Sequence, residues 1–410
     1  MDYDIAIIGA GPAGLSFACS LRDSGLNIVI IEKLSRKELA DPPVDGRDIA
    51  LTHLSRKLMQ QHGSWQQVGD DNISPIQRAE VIDGDSPYTL SFNTPDDGTD
   101  ALGFLISNHL IRKAIFAKFE TLQNVTLMDE QEVTLMDEQE VTAVNTNDDC
   151  GTILLASGET LTASLVIAAD TRFSSTRRQM GISTDSHDFG RTAIVGWMEH
   201  ELSHEHTAFE CFHYGRTLAI LPMPGNISSA VITVPSNQAN EVLSMGDEAF
   251  NADIEQRLHG RLGKMKQVGQ RYSYPLVGVH ANRFVTNRFA LIGDAAVGMH
   301  PVTAHGFNLG LSGQDLLATE ILGAQAKGED IWNPALLQRY QQHHMLATRP
   351  LYHGTNAIVG LFTNDSFPVT LLRSAALRLS NNLPPVKWAI QQKLMAKNHL
   401  KNFLPPFFGK

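Results

Sequence analysis

Residues 1–32 constrain this chain more than any other stretch. Tyr3-Asp4-Ile5-Ala6-Ile7-Ile8 reads as a buried strand, and Gly9-Ala10-Gly11-Pro12-Ala13-Gly14 follows it. Leu15 to Asp23 reads as a helix, and Ile28 to Ile31 as a second apolar strand ending on Glu32. That is a complete βαβ unit with a G-x-G-x-x-G turn. Gly9 lets the chain turn sharply out of the strand, Gly11 leaves room for a pyrophosphate against the backbone, and Gly14 lets helix and strand pack closely. The helix N-terminus points unpaired N–H groups and a partial positive charge at the phosphates. Glu32 is placed to accept hydrogen bonds from an adenosine ribose, and its charge disfavours a 2′-phosphate. Ala13 in the turn and Lys33 after the acid belong to the same cofactor-facing set. A chance glycine pattern in an ordinary βα turn would lack this order of strand, helix, strand and acid.

The chain has 410 residues, enough for two or three packed lobes, and a globular composition of 42% apolar and 19% charged residues. No apolar run approaches the ~18–20 residues that span a bilayer. With the first strand starting at residue 3, no signal peptide is expected. Cys19, Cys150 and Cys211 are odd in number and far apart, which suits a reducing cytosol better than a disulfide framework. The net charge of −11 argues against nucleic acid as a partner. The distribution matters more. After Asp365 there is no acid, while Arg373, Arg378, Lys387, Lys393, Lys397, Lys401 and Lys410 are basic, leaving 26 of the 33 basic residues against all 44 acidic ones before them.

Past Glu32, the proline-containing stretch Ser35 to Asp45 reads as a loop over the cofactor. Arg47 follows, either near a flavin or dinucleotide phosphate or as a solvated surface arginine, and a helix is expected around Ser55 to Gln61. Residues 78–106 alternate like strands, and Asn108 to Phe119 is an amphipathic helix. Residues 125–132 are repeated as 133–140, a single tandem doubling from which one copy should be dispensable. A hairpin over 152–168 leads into the buried strand that delivers Asp170. Residues 190–235 suit an antiparallel sheet, Asp247 to Leu262 a helix, and Arg288 to Ile292 a buried strand before Gly293-Asp294-Ala295-Ala296. A long helix should run from about Gly306 or Phe307 to Ala326.

Three segments converge: Gly9 to Gly14 with Glu32, Ala169-Asp170-Thr171-Arg172-Phe173-Ser174-Ser175-Thr176-Arg177-Arg178, and Gly293-Asp294-Ala295-Ala296 followed by Pro301. In this order and spacing the chain resembles the single-component flavin aromatic hydroxylases of the p-hydroxybenzoate hydroxylase fold. Asn108 with its helix, and Asn381-Asn382-Leu383-Pro384-Pro385, are similar to the ubiquinone-biosynthesis hydroxylases. The 292–311 segment, with His305, Gly306, Phe307 and Asn308, looks closest to the bacterial demethoxyubiquinol hydroxylase branch. The chain departs from the family's usual motifs at Ala168, Thr171, Val297, Ala304 and His305. Independently of family, Asp294 at a strand end can accept from a ribityl hydroxyl. The helix after Pro301 aims its N–H groups at the flavin N1/C2 edge, where reduction collects negative charge.

The resemblance implies an α/β protein with a discontinuous FAD-binding Rossmann-like domain (1–76, 104–180, 281–350), an antiparallel β-sheet substrate domain (77–103, 181–280) and C-terminal helices ending in a basic tail (351–410). It implies a monooxygenase that hydroxylates the ring of a polyprenylated quinol or phenol, most nearly demethoxyubiquinol, using O2 through a flavin C4a-hydroperoxide. With one glycine-rich unit, NAD(P)H would dock only transiently on the FAD domain. The catalytic group is left open among His300, Pro301 and His305; the two histidines form no metal constellation with each other, and no metal is expected. The tail 366–410 reads either as attraction to an anionic membrane surface or a Ubi-complex partner, or as a helix packing on the acidic body. The expected location is cytoplasmic, peripheral to the inner membrane. Two other functions fit the glycine motifs: an oxygen-independent flavin reductase of prenyl lipids, and an FAD-stabilised non-catalytic subunit of a lipid-biosynthesis complex.

Overall fold

A computed structural model describes residues 1–84, 89–95, 98–122, 125–128, 141–213, 215–300, 305–363 and 395–396. Its first sheet has a parallel centre in the order Val125–Met128, Ile28–Ile31, Tyr3–Ile8, Thr160–Ala168 and Phe289–Leu291. These strands are continuously apolar because helices cover both faces of a parallel sheet. Ile5, Ile7, Ile28, Ile30, Leu165 and Ile167 are fully buried. The Pro12–Ser20, Asn108–Phe119 and His305–Gln325 helices pack around this core. The hairpin Val141–Thr146 and Gly151–Leu155 extends the sheet antiparallel to Thr160–Ala168.

The second sheet has eight strands in the order Val297–Gly298, Met265–Ala281, Thr184–His200, Ile227–Pro235, Arg216–Pro222, Thr207–His213, Arg78–Asp83 and Thr89–Asn93. Every pair is antiparallel except Thr207–His213 with Arg78–Asp83, which run parallel. One face buries Ile194, Met198, Cys211, Leu218, Ile220 and Ile232 together with Phe250 and Ile254 of the Asp247–Arg257 helix. Side chains alternate faces along a strand. The intervening residues Val195, Trp197, Tyr272 and Tyr274 are therefore turned the other way, toward residues 45–48. Tyr274 donates to Asp45 O at 2.5 Å, and Trp197 Nε1 to Asp48 Oδ2 at 2.9 Å.

Several expectations are refined. Residues 35–45 are not all loop: Arg36–Ala40 is a helix whose capping box links Ser35 and Glu38. The Asp247 helix stops at Arg257, because His259 and Gly260 take left-handed φ of +51° and +68° and turn the chain away. The strand expected from residue 190 begins at Thr184. Of the doubled segment, Val125–Met128 is an outer strand of the first sheet and 129–140 lie outside the described residues. The tail expectation also lies outside them, save Met395 and Ala396. Met395 is buried beside Leu90, Phe92 and Leu102, and Ala396 O accepts from Leu54 N at 3.1 Å. Among the described residues, no helix is long and apolar enough to cross a membrane.

Candidate active site

The first glycine turn has the shape of a dinucleotide cradle. Gly9 has a φ of +108°, and a Cβ there would stand 2.6 Å from Ala169 O; a Cβ on Gly14 would stand 2.1 Å from Gly9 O. Strand, turn and helix are thus in backbone contact. Gly11, between them, has nothing within 4 Å of a would-be Cβ. The turn is closed where packing needs it and open where a pyrophosphate would lie. The Pro12–Ser20 helix starts beside that opening. Glu32 arrives at the same turn. Its Oε2 accepts from Ala10 N at 2.7 Å and its Oε1 from Lys33 N at 2.9 Å and Leu34 N at 3.0 Å, while the Lys33 side chain is exposed. The donor set fits FAD: an open glycine, a helix N-terminus and a carboxylate fixed at the strand end.

The second and third motifs close onto the first. Asp170 Oδ2 accepts from Ser174 Oγ at 2.8 Å, and Ser174 Oγ caps the next turn by accepting from Arg177 N at 2.9 Å. Burial holds the Asp170 carboxyl above its usual range. The buried Arg177 donates to Ala295 O at 2.7 Å and so bolts the second motif to the third. Gly293, with φ +60°, faces Ala13: a Cβ on it would lie 2.7 Å from the Ala13 Cβ. Asp294 carries an ion pair with Arg172 at 3.2 Å, and Arg172 also donates to Val277 O at 3.0 Å.

Pro301 lies outside the described residues, and the helix expected after it starts at His305. Gly306 has open space where a side chain would be, and Phe307 packs against the large core. The Asn308 side chain is used inside the protein. Its Oδ1 accepts from Ser55 Oγ at 2.6 Å and Thr52 N at 3.0 Å, and its Nδ2 donates to Ala50 O at 2.9 Å. His300 is buried edge-on to Phe189 at 4.6 Å, and burial pushes its imidazole down to about 4; His305 is half-buried at the helix start.

Arg47 and Asn108 meet at one carboxylate. Asp45 Oδ2 accepts from Arg47 at 2.6 Å and from Asn108 Nδ2 at 2.8 Å, and the guanidinium lies 5.3 Å from the Tyr274 ring centroid. Burial, the largest single influence, would raise the Asp45 carboxyl, but Arg47 and Asn108 together hold the group below its usual range. Asp48 is the opposite case. Burial pushes it up despite hydrogen bonds from Ser107 at 2.5 Å and Trp197 at 2.9 Å. Asp45, Asp48, Trp197 and Tyr274 are not recognisable from sequence as members of this seam, because their contacts depend on how segments distant in the chain face each other. Among the described residues, no group of three or more His, Cys, Asp or Glu could hold a metal ion.

This architecture is shared with Klebsiella pneumoniae HpxO solved in complex with FAD. The TM-score is 0.75 at 17% identity, over 97% of this chain and 100% of that one. A flavin-dependent monooxygenase is the class that fold and cradle define, with FAD as its cofactor. The chain belongs to the family described as FAD binding domain, whose model matches residues 2–350. It is 49% identical to ubiquinone hydroxylase UbiM of Neisseria meningitidis, over 95% of this chain and 84% of that protein. It is 36% identical to ubiquinone hydroxylase UbiL of Rhodospirillum rubrum, over 94% and 87%.

Proposed function

We propose that this protein hydroxylates the aromatic ring of a polyprenylated ubiquinone precursor, demethoxyubiquinol being the leading candidate. The observation that carries the reading is the near-full-length 49% identity to a ubiquinone hydroxylase. The sheet face bearing Trp197, Tyr272 and Tyr274 fits it, because it offers an aromatic wall against residues 45–48.

Bound FAD supplies the redox chemistry that activates dioxygen. The chain's own residues bind, orient and exclude water. In this reading the Pro12–Ser20 N-terminus and the open side of Gly11 take the pyrophosphate, and Glu32 takes the adenosine ribose. Asp294, held by Arg172, takes a ribityl hydroxyl. The Ala13–Gly293 contact sets the width of the slot. Gly306, Phe307 and the backbone at Asn308 place the start of the His305–Gln325 helix at the flavin edge, where its dipole favours negative charge. Tyr272, Tyr274 and Trp197 shield the reacting ring from water. Arg47 is the candidate contact for a transient NAD(P)H, and its bond to Asp45 would have to open for that role. Contact with the inner membrane or a Ubi complex through 366–410 suits a lipid substrate.

The test is the quinone-lipid profile of cells lacking the protein. An accumulated intermediate one hydroxylation short of ubiquinone, cleared by re-expression, supports the reading; an unchanged profile overturns it.

A further inference from the structure

One carboxylate in the second sheet, that of Glu210, has no side-chain partner among the described residues. Glu210 lies in Thr207–His213 between Phe209 and Cys211, which both enter the core shared with the Asp247–Arg257 helix. Alternation turns Glu210 to the opposite face. The register extends this placement across the sheet. Glu210 pairs with Val81 and Ala219, Ala219 with Val231, Val231 with Val195, and Val195 with Tyr272. At the far end of that row, a Cβ on Gly46 would fall 2.4 Å from the Tyr272 ring and 3.1 Å from Val195. The row therefore starts against the 45–48 segment, reaches Glu210 about 14 Å beyond Val195 at ~4.8 Å per strand, and runs on to Val81 and Leu90, where Val81 packs beside Phe92, Leu102 and Met395.

Its neighbours in the row are Val81 and Ala219, and the Glu210 carboxylate makes no hydrogen bond or ion pair with any described residue. The charged groups of the adjoining strands are engaged elsewhere. Arg78 pairs with Glu80, Arg216 pairs with Asp253, and Arg261 donates to Leu258 O. Arg191 donates to Gly215 O. Burial alone pushes the Glu210 carboxyl up to about 8, yet the residue keeps some accessible surface. An enclosed but reachable acid with no partner among the described residues fits a wall of a binding cavity better than a folding role.

We propose that Glu210 is a substrate-contacting catalytic residue that accepts the proton of the ring hydroxyl. The inference rests on the hydroxylase reading above. The hydroxyl O–H bond breaks, a new O–H bond forms on the Glu210 carboxylate, and the electron pair stays on the ring oxygen, where it enriches the ring for attack. The proton returns to solvent before the next turnover. A base whose affinity for protons lies near neutrality suits this exchange.

The test uses FAD-loaded wild type, Glu210→Gln and Glu210→Asp. A short-chain demethoxyubiquinol is the hydroxylation substrate, and its redox-inert phenol analogue is a ligand followed by the visible flavin band. Wild type should show analogue binding and kcat/KM that both change with pH around 8. Glu210→Gln should retain its flavin, lose the pH break, bind the analogue about tenfold more weakly and turn over about 10²-fold more slowly. Glu210→Asp should recover part of the rate. Glu210→Gln binding with wild-type affinity, or a wild-type binding curve flat with pH, overturns the assignment. Flavin loss in both variants also overturns it, by giving Glu210 a packing role. A wild type that binds the analogue with the expected pH break but hydroxylates nothing overturns the functional reading and leaves the Glu210 contact standing.

Discussion

Gly293 and Ala13, 280 positions apart in the chain, touch across the cradle: a Cβ on Gly293 would stand 2.7 Å from the Ala13 Cβ. This contact joins the glycine turn after the first strand to the turn after Phe289–Leu291. Gly293→Ala should therefore weaken FAD retention and lower stability. The left-handed φ of +60° alone costs roughly 1–2 kcal/mol for an L residue, before the overlap is counted. The flavin-to-protein absorbance ratio of the purified variant and its melting temperature check this.

Glu32 accepts three backbone N–H groups from two segments of the turn. Glu32→Ala strands all three donors and removes a charge from the ribose side. A loss of about 2 kcal/mol in stability and a clear drop in FAD affinity are expected. Glu32→Gln keeps one acceptor and should fall between. Calorimetric titration of the apoprotein with FAD gives the affinities, and a denaturant melt gives the stability.

Asn308 clips the start of the long helix to the 50–55 segment through Ala50, Thr52 and Ser55. Asn308→Ala leaves buried groups at the Asp48–Leu51 strand end unsatisfied. It should destabilise the protein by about 2–3 kcal/mol, with flavin loss following as the helix start loosens. Asn308→Asp keeps the acceptor and should be milder. Thermal melts with and without excess FAD separate the two effects.

Four buried histidines make stability depend on acid. Burial pushes His62, His280 and His300 down to about 4 and His344 to about 3. The folded state thus favours neutral rings, while the unfolded chain takes up protons below its ordinary 6.5. Their contribution is complete above pH 6.5 and declines as pH falls toward 4, by up to about 1.4 kcal/mol per pH unit for each ring. His344 stacks on Tyr340 and has Gly313 against its Nε2. Denaturant melts between pH 7.5 and 4.5 should show the decline, and His344→Gln should flatten its slope.

Much of the cradle is legible in the sequence. The Asn108–Phe119 helix begins and ends where its apolar periodicity says, and the βαβ unit follows from glycine spacing and two apolar runs. Ser35 and Glu38 carry a capping-box signature, but the prolines nearby point to a loop instead of the Arg36–Ala40 helix. The Arg172–Asp294 pair, the Asp48–Trp197 bond and the face taken by Glu210 are not legible. The first two join residues 122 and 149 positions apart and the third depends on strand register, and no local pattern encodes such relations. Arg47 shows the same limit from the other side. Its charge drew notice as a phosphate ligand, but the neighbouring Asp45 holds it.

Oxygen accounting tests the central claim most directly. The holoenzyme, reduced chemically and mixed with demethoxyubiquinol under oxygen-18 gas, should yield a ring-hydroxylated product carrying one labelled atom in a single turnover. A product whose new oxygen comes from water, or one formed equally well without dioxygen, would contradict a flavin monooxygenase acting on this ring.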